Sequence, residues 1–340
     1  MRVQLVGVVL ACALWGCGDA KSDGDDTAAA ADTTTPSTAA TGGTATGGGT
    51  ATGTGTATGG GTGTGSGTTT FEPEYGLSEQ TLFHDDTDRF YLQYVPKSYD
   101  GTTEVPVLLN FHGFGDTAFN HMSYSDMRPL AEEHGFILIY PQGTVLEGDT
   151  HWNTYVPGPD NKSEADDFGF VDVLLDQLSA HYAIASSRVY ATGFSNGGDF
   201  TYTLACYLSD RVTGIAPVSG LMWNRTQEDC VTTHPTALLS IHGTRDFVRP
   251  YEGIPGYLLG MNPTHEFWAE QNGIVDDPTL TALPGDIERY DFGPGEGGSA
   301  IRHYKVNGGF HEWLRVNDDG VFTDELIWDF LSQYDQDGLL

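Results

Sequence analysis

Positive charge is scarce in this sequence. The 340 residues hold 15 Lys and Arg against 47 Asp and Glu, a formal net charge of −32. Only four lysines occur: Lys21, Lys97, Lys162 and Lys305. Such a surface repels phosphate backbones and anionic lipid headgroups, which argues against nucleic acid as a partner. Cysteine is scarce too, limited to Cys12, Cys17, Cys206 and Cys230. The 11 histidines are dispersed, without His-x-x-x-His or paired-cysteine spacing, so no metal site is expected. No Gly-Lys-Ser/Thr follows the glycine-rich tract, which excludes a P-loop, and no cofactor is implied. The apolar run at residues 3–16 is too short to read as a permanent membrane span.

What that run does fit is a secretory signal peptide over residues 1–17, with Arg2 ahead of the apolar stretch. Leu14-Trp15-Gly16-Cys17 resembles the bacterial lipobox. The resemblance implies cleavage before Cys17 and diacylation of its thiol, which would tether the protein to a membrane. Trp15 is bulky for that motif, and an ordinary signal peptide cleaved nearby is the alternative. Either way the protein is read as exported, extracellular or on the cell surface. Residues 18–70 are almost entirely Thr, Gly and Ala. They cannot bury enough surface to offset the entropy of ordering, so they read as a disordered linker reaching roughly 40 Å. Residues 71–340 remain, enough for one large catalytic domain. Nearly all of the excess negative charge lies there, because residues 1–70 carry only Arg2, Lys21, Asp19, Asp23, Asp25, Asp26 and Asp32. Cys206 and Cys230 would meet oxidising conditions, so a disulfide is expected, with two buried thiols as the alternative.

Apolar runs at residues 90–95, 105–111, 136–140, 188–192, 214–218, 237–241 and 301–306 read as strands. Residues 125–134, 168–182, 196–208, 264–271 and 323–333 read as helices. Strands alternating with helices imply an α/β fold, and strands that are apolar throughout imply a mainly parallel sheet covered by helices on both faces.

Gly193-Phe194-Ser195-Asn196-Gly197-Gly198 has the G-x-S-x-G form of a nucleophile elbow, between a β-branched strand and a helix. Its glycines leave room for a sharp reversal that presents Ser195 at a helix N-terminus. A serine hydroxyl needs a base to take its proton, and the base needs a carboxylate to orient it. On an α/β-hydrolase scaffold the order is Ser, acid, His. Only His234, His242, His265, His303 and His311 follow Ser195. His303 falls inside a strand and reads as packed or paired, and His242 reads as a structural residue ending its strand. His311, in a loop just past the last strand, is chosen as the base. Asp246, in the loop leaving the strand at 237–241, is chosen as the orienting acid; a loop cap or a partner for Arg245 is its structural alternative. For the oxyanion the expected donors are the backbone N–H groups of Asn196 and Phe114, with Gly113 second to Phe114. His112 reads as a structural loop histidine.

These segments, from residue 188 to 198, 204 to 206, 216 to 220 and 241 to 246, resemble the polyhydroxybutyrate depolymerase and feruloyl/acetylxylan esterase family of α/β-hydrolases. The similarity runs from about residue 87 to 340. It implies secreted hydrolysis of carboxylic esters without a cofactor, a triad of Ser195, Asp246 and His311, and a Cys206–Cys230 pair. His151-Trp152-Asn153 resembles the family's Trp-Asn segment near the substrate pocket. That leaves Trp152 either a substrate platform or a core side chain. Phe310, Glu312, Leu314 and Arg249 depart from the family's commoner residues, and they bear on the substrate more than on the reaction. The expected substrates are feruloyl or acetyl esters of plant polysaccharide. A polyhydroxyalkanoate or its oligomers is the alternative, with a peptidase possible on the same fold. A surface-binding lipoprotein without catalysis is the alternative of another class.

Overall fold

The computed structural model describes residues 73–155 and 161–340. The signal peptide expected at 1–17, the linker expected at 18–70 and the lipidation expected at Cys17 lie outside the described residues. The described chain opens with an antiparallel hairpin, β1 (Gly76–His84) and β2 (Thr87–Val95), turned at Asp85 and Asp86. Both turn residues have positive φ, as a tight two-residue hairpin loop requires. Then follow β3 (Val105–Phe111), β4 (Ile137–Pro141), the small hairpin β5 (Thr144–Leu146) and β6 (Asp149–His151), β7 (Ile184–Phe194), β8 (Gly214–Val218) and β9 (Ala237–Gly243). The last strands of the main sheet are β10 (Thr279–Leu283), β11 (Ile287–Phe292) and β12 (Ile301–Val306).

Ten of these form one sheet in the order β1-β2-β4-β3-β7-β8-β9-β12-β11-β10. The six central strands, from β4 to β12, pair in parallel, and the pairings outside them are antiparallel. Every residue of β3, β4, β8 and β9 is buried. That matches the rule that a parallel sheet is covered on both faces.

Seven helices supply the cover among the described residues: α1 (Ala118–Tyr124), α2 (Arg128–His134), α3 (Asp167–His181), α4 (Asn196–Tyr207), α5 (Asn224–Glu228), α6 (Met261–Gln271) and α7 (Thr323–Leu331). Alternation along β3 divides the core. Val107, Leu109 and Phe111 pack with Leu174 of α3, Phe200 of α4 and Trp268 of α6. Leu108 faces the other way, with Met122 of α1, Ala131 of α2 and Ile327 of α7. Cys206, near the end of α4, is bonded to Cys230 just beyond α5.

Two features differ from the sequence expectations. The helix expected at 125–134 is α2, which starts only at Arg128 because Pro129 sits in its first turn, where a proline starts a helix, and α1 precedes it outside the expected range. The outer strands β1, β10 and β11 lie outside the expected set. β10 has no buried residue, so it shows little of the apolar alternation that marks a strand.

Candidate active site

The parallel strands end at one edge of the sheet, and the chemistry-bearing residues sit in the loops that leave them. β7 runs into Phe194, and α4 begins at Asn196. Ser195 alone makes the reversal, at φ 54° and ψ −118°. A non-glycine residue held there stores backbone strain, and such strain clusters at functional sites. Two bonds hold it: its N–H donates to Val218 O at 3.0 Å, and its carbonyl accepts from Asp199 N–H at 2.8 Å. The flanking glycines answer to close approach rather than to φ. A Cβ on Gly197 would lie 2.3 Å from Phe111 O, and one on Gly193 would lie 2.7 Å from the Gly197 carbonyl carbon.

His311 reaches this serine from the loop after β12. Ser195 Oγ–H donates to His311 Nε2 at 2.8 Å, and His311 Nδ1–H donates to Asp246 Oδ2 at 2.7 Å. Asp246 has no exposed side-chain surface. Burial pushes its carboxyl upward, but the hydrogen bond from His311 and the backbone N–H of Arg249 outweigh it and hold the carboxyl below its ordinary range. Its second oxygen, Oδ1, accepts from the backbone N–H groups of Val248 at 2.9 Å and Arg249 at 2.7 Å. The carboxylate is therefore fixed on one side by its own loop and offers the other to His311. His242 also approaches it, at 3.6 Å, but its Nε2–H donates to Arg249 O at 2.7 Å, and burial holds it neutral. His303 lies within β12, bonded to Ser240 and Tyr251. The structure thus brings together Ser195, His311 and Asp246, and it occupies the other nearby histidines elsewhere.

The loop after β3 comes up beside the serine. A Cβ built on Gly113 would lie 3.4 Å from Ser195 Cβ. His112 is wholly buried, and burial lowers its pKa to about 4, so it is neutral. Its Nδ1–H donates to Gly113 O at 2.7 Å, and its Nε2 accepts from Gly143 N–H at 2.9 Å. The Gly113 carbonyl also accepts from Asp116 N–H at 3.2 Å. Because the peptide is planar and trans, pinning that carbonyl turns the Phe114 N–H to the opposite side. The Phe114 ring stands half exposed at the rim.

Trp152 is not a substrate platform. It is fully buried, stacked on Phe200 with ring centroids 5.3 Å apart and edge-on to Phe111 at 5.1 Å. Its indole N–H donates to His112 O at 3.0 Å, its backbone N–H donates to Asn196 Oδ1 at 2.8 Å, and its carbonyl accepts from Asn196 Nδ2 at 3.1 Å. One core side chain therefore joins the His112–Phe114 loop to the residue after Ser195. Asn153 continues the support: its N–H donates to Asp167, which pairs with Arg89 at 2.6 Å in a fully enclosed contact. A second buried pair, Asp199 with Arg249 at 2.8 Å, links the helix after Ser195 to the Asp246 loop. Sequence reasoning missed it, although Arg249 standing where an apolar residue is usual was a signal. Among the described residues no group of three or more His, Cys, Asp or Glu side chains is placed to hold a metal ion.

Residues 86–246 match the protein-family model described as "Putative esterase". Just under half of the chain therefore resembles this esterase family. A bifunctional acetylxylan esterase/xylanase from Neocallimastix patriciarum is 29% identical over 68% of the chain, and feruloyl esterase B from Piromyces equi is 26% identical over 70%. The matched regions make up 32% and 44% of those relatives' own lengths, so the chain spans less than half of each. An acetyl xylan esterase structure from Aspergillus awamori superposes with a TM-score of 0.56 at 18% identity, covering 75% of this chain and 98% of that one. At that identity the likeness shows the esterase's α/β-hydrolase fold.

Proposed function

We propose that the protein hydrolyses carboxylic esters through Ser195, His311 and Asp246. The observation that carries the reading is the unbroken pair of bonds at 2.8 and 2.7 Å from Ser195 Oγ through His311 to Asp246. Ser195 Oγ attacks the ester carbonyl carbon as its proton passes to His311 Nε2. Asp246 holds the imidazole in the tautomer that can accept that proton, and it stabilises the imidazolium that forms. The carbonyl oxygen, now negative, is met by the backbone N–H groups of Asn196 and Phe114. His311 gives its proton to the alcohol oxygen as the C–O bond breaks. Water then attacks the acyl-enzyme, loses a proton to His311, and Ser195 recovers that proton on leaving.

For the substrate we propose feruloyl or acetyl esters on plant polysaccharide; the names of the fungal relatives support that class. Export is supported by the Cys206–Cys230 disulfide, which oxidising compartments favour. Attachment through a lipid on Cys17 is part of the same proposal, with residues 18–70 as the tether and 71–340 as the catalytic domain. Equal partitioning of wild type and Cys17→Ser into the aqueous phase of a detergent separation would exclude the anchor. The reaction is tested with p-nitrophenyl acetate and methyl ferulate. Ser195→Ala is expected to lower kcat by about 10⁴-fold or more, and His311→Ala similarly, while His303→Ala retains turnover. Retained turnover in Ser195→Ala would refute the assignment.

A further inference from the structure

A cavity of about 470 Å³ opens beside the Asp246 loop, and neither Ser195 nor His311 is among its walls. Its floor is the sheet, where Tyr290 of β11 and His303 of β12 are cross-strand partners. Tyr251 and Asn262, the latter in the first turn of α6, form its sides. The wall is held rigidly. His303 is bonded at both ring nitrogens, Nδ1 lying 2.8 Å from Ser240 Oγ and Nε2 2.9 Å from Tyr251 OH. Lys305 Nζ and Tyr290 OH both donate to Glu288 Oε2 at 2.8 Å. Phe247 connects this cavity to the reacting centre. It lines the cavity, follows Asp246 directly, and is 81% exposed. Its ring centroid is 6.5 Å from that of Phe310, the residue before His311, which is itself half exposed. The two rings form an apolar ridge running from the base to the cavity.

We propose that this ridge and cavity are a subsite for a sugar unit of the polysaccharide whose ester Ser195 attacks, on the alcohol side of the scissile bond. The inference rests on the esterase reading and adds a place for the carbohydrate. A sugar ring has an apolar face of C–H groups and a rim of hydroxyls that each donate and accept. Phe247, Tyr251 and Tyr290 supply aromatic surface for the first. The Asn262 amide, the Lys305 ammonium and the Glu252 carboxylate supply donors and acceptors for the second. A polyester chain fits the wall less well. It carries acceptors along its length and an O–H only at its end, so its repeat units offer no donor to the exposed Glu252 carboxylate and Asn262 carbonyl, which keep water instead.

Xylotetraose, which has no ester, is the probe. Calorimetry on the full chain carrying Ser195→Ala is expected to detect its binding. Phe247→Ala and Asn262→Ala replace exposed side chains and leave the core intact, which thermal melting checks. Added together to Ser195→Ala, they are expected to weaken binding by about tenfold or more. Wild-type turnover of p-nitrophenyl acetate, an ester too small to span the ridge, is measured alongside. No binding of xylotetraose, binding undiminished in the triple variant, or binding of a 3-hydroxybutyrate trimer in its place would each overturn the subsite while p-nitrophenyl acetate turnover left the esterase reading standing. Absence of that turnover in wild type would overturn both.

Discussion

Arg249→Met tests whether the Asp246 loop is held by the helix behind Ser195. Asp199 has no exposed side-chain surface, and its oxygens accept from Leu221 N–H at 2.8 Å and from Arg249 Nε and Nη2 at 3.0 and 2.8 Å. Methionine fills much of the arginine's volume but strips the buried carboxylate of its hydrogen-bonded guanidinium. Breaking a buried pair from one side costs about 3–5 kcal/mol. For a domain of this size about 2 °C of melting temperature accompanies each kcal/mol, so a drop of about 6–10 °C is expected by calorimetry. Asp199→Asn added to Arg249→Met removes the stranded charge and is expected to recover about 2 kcal/mol, the sign that the loss came from the charge and not from packing. Activity adds a second readout. The Arg249 backbone donates to Asp246 and accepts from His242, so a loosened loop misplaces the carboxylate that orients His311. On a small ester kcat is expected to fall by about ten- to a hundredfold, with KM changed far less. A melting shift under about 2 °C, or a double variant no more stable than Arg249→Met, would refute the reasoning.

Three further outcomes are expected. Trp152→Phe keeps the aromatic packing but removes the N–H that satisfies His112 O, so it should cost about 1–3 kcal/mol and lower kcat through the oxyanion loop; unchanged kcat would show that the loop does not depend on the indole. Replacing Cys206 and Cys230 with serine opens a loop of sequence separation 24, for which chain entropy gives about 3.5 kcal/mol, readable in urea melts of oxidised and reduced protein. The third concerns acid. Burial lowers the pKa of His112 to about 4 and of His265 to about 3, from 6.5. Both are neutral in the folded state and charge only on unfolding, so the unfolded chain binds more protons as pH falls below 6.5. Stability is therefore full above that value and is lost as pH drops toward 4 and 3, at about 1.4 kcal/mol per unit for each histidine. The two together should withdraw about 4 kcal/mol by pH 5, and His265→Gln should flatten the dependence.

The parallel core is legible in the sequence because β3, β4, β8 and β9 are largely apolar runs, buried along their whole length, among segments of helical periodicity. The 105–111 and 237–241 runs need only local pattern to be read. The edge strands are not legible. β10 buries none of its residues, and it is defined by its antiparallel partner rather than by its own composition. The meeting of Ser195, Asp246 and His311 is also readable, because chain order on this scaffold reduces five histidines to a choice among loops. What supports them is not readable. Trp152 lies about forty residues from both His112 and Asn196, and Asp199 lies fifty from Arg249. Such contacts are set by tertiary packing, and no periodicity in the chain encodes them. Trp152 shows the consequence. A tryptophan near a pocket in sequence suits either a platform or a core residue, and only its burial separates the two.

The same division explains where information about the substrate resides. Buried residues around Ser195 are constrained twice, by packing and by chemistry, so their identities report the fold as much as the reaction. Trp152, Asp167 and Asp199 would each be required to hold the loops in place whatever ester was cleaved. Phe114, Phe247 and Phe310 carry no such constraint. Each stands half exposed or more, and Phe247 is 81% exposed, so folding gains little from them. An isolated exposed ring is unremarkable on a protein surface, but three around one reacting serine concentrate apolar area where substrate must approach. Their replacement by alanine should therefore leave stability within about 0.5 kcal/mol of wild type. If the rim reads the substrate, the same replacements should raise KM for a polysaccharide-linked ester more than for p-nitrophenyl acetate. Equal effects on both esters would mean that the rim shapes the reacting centre itself and carries no specificity.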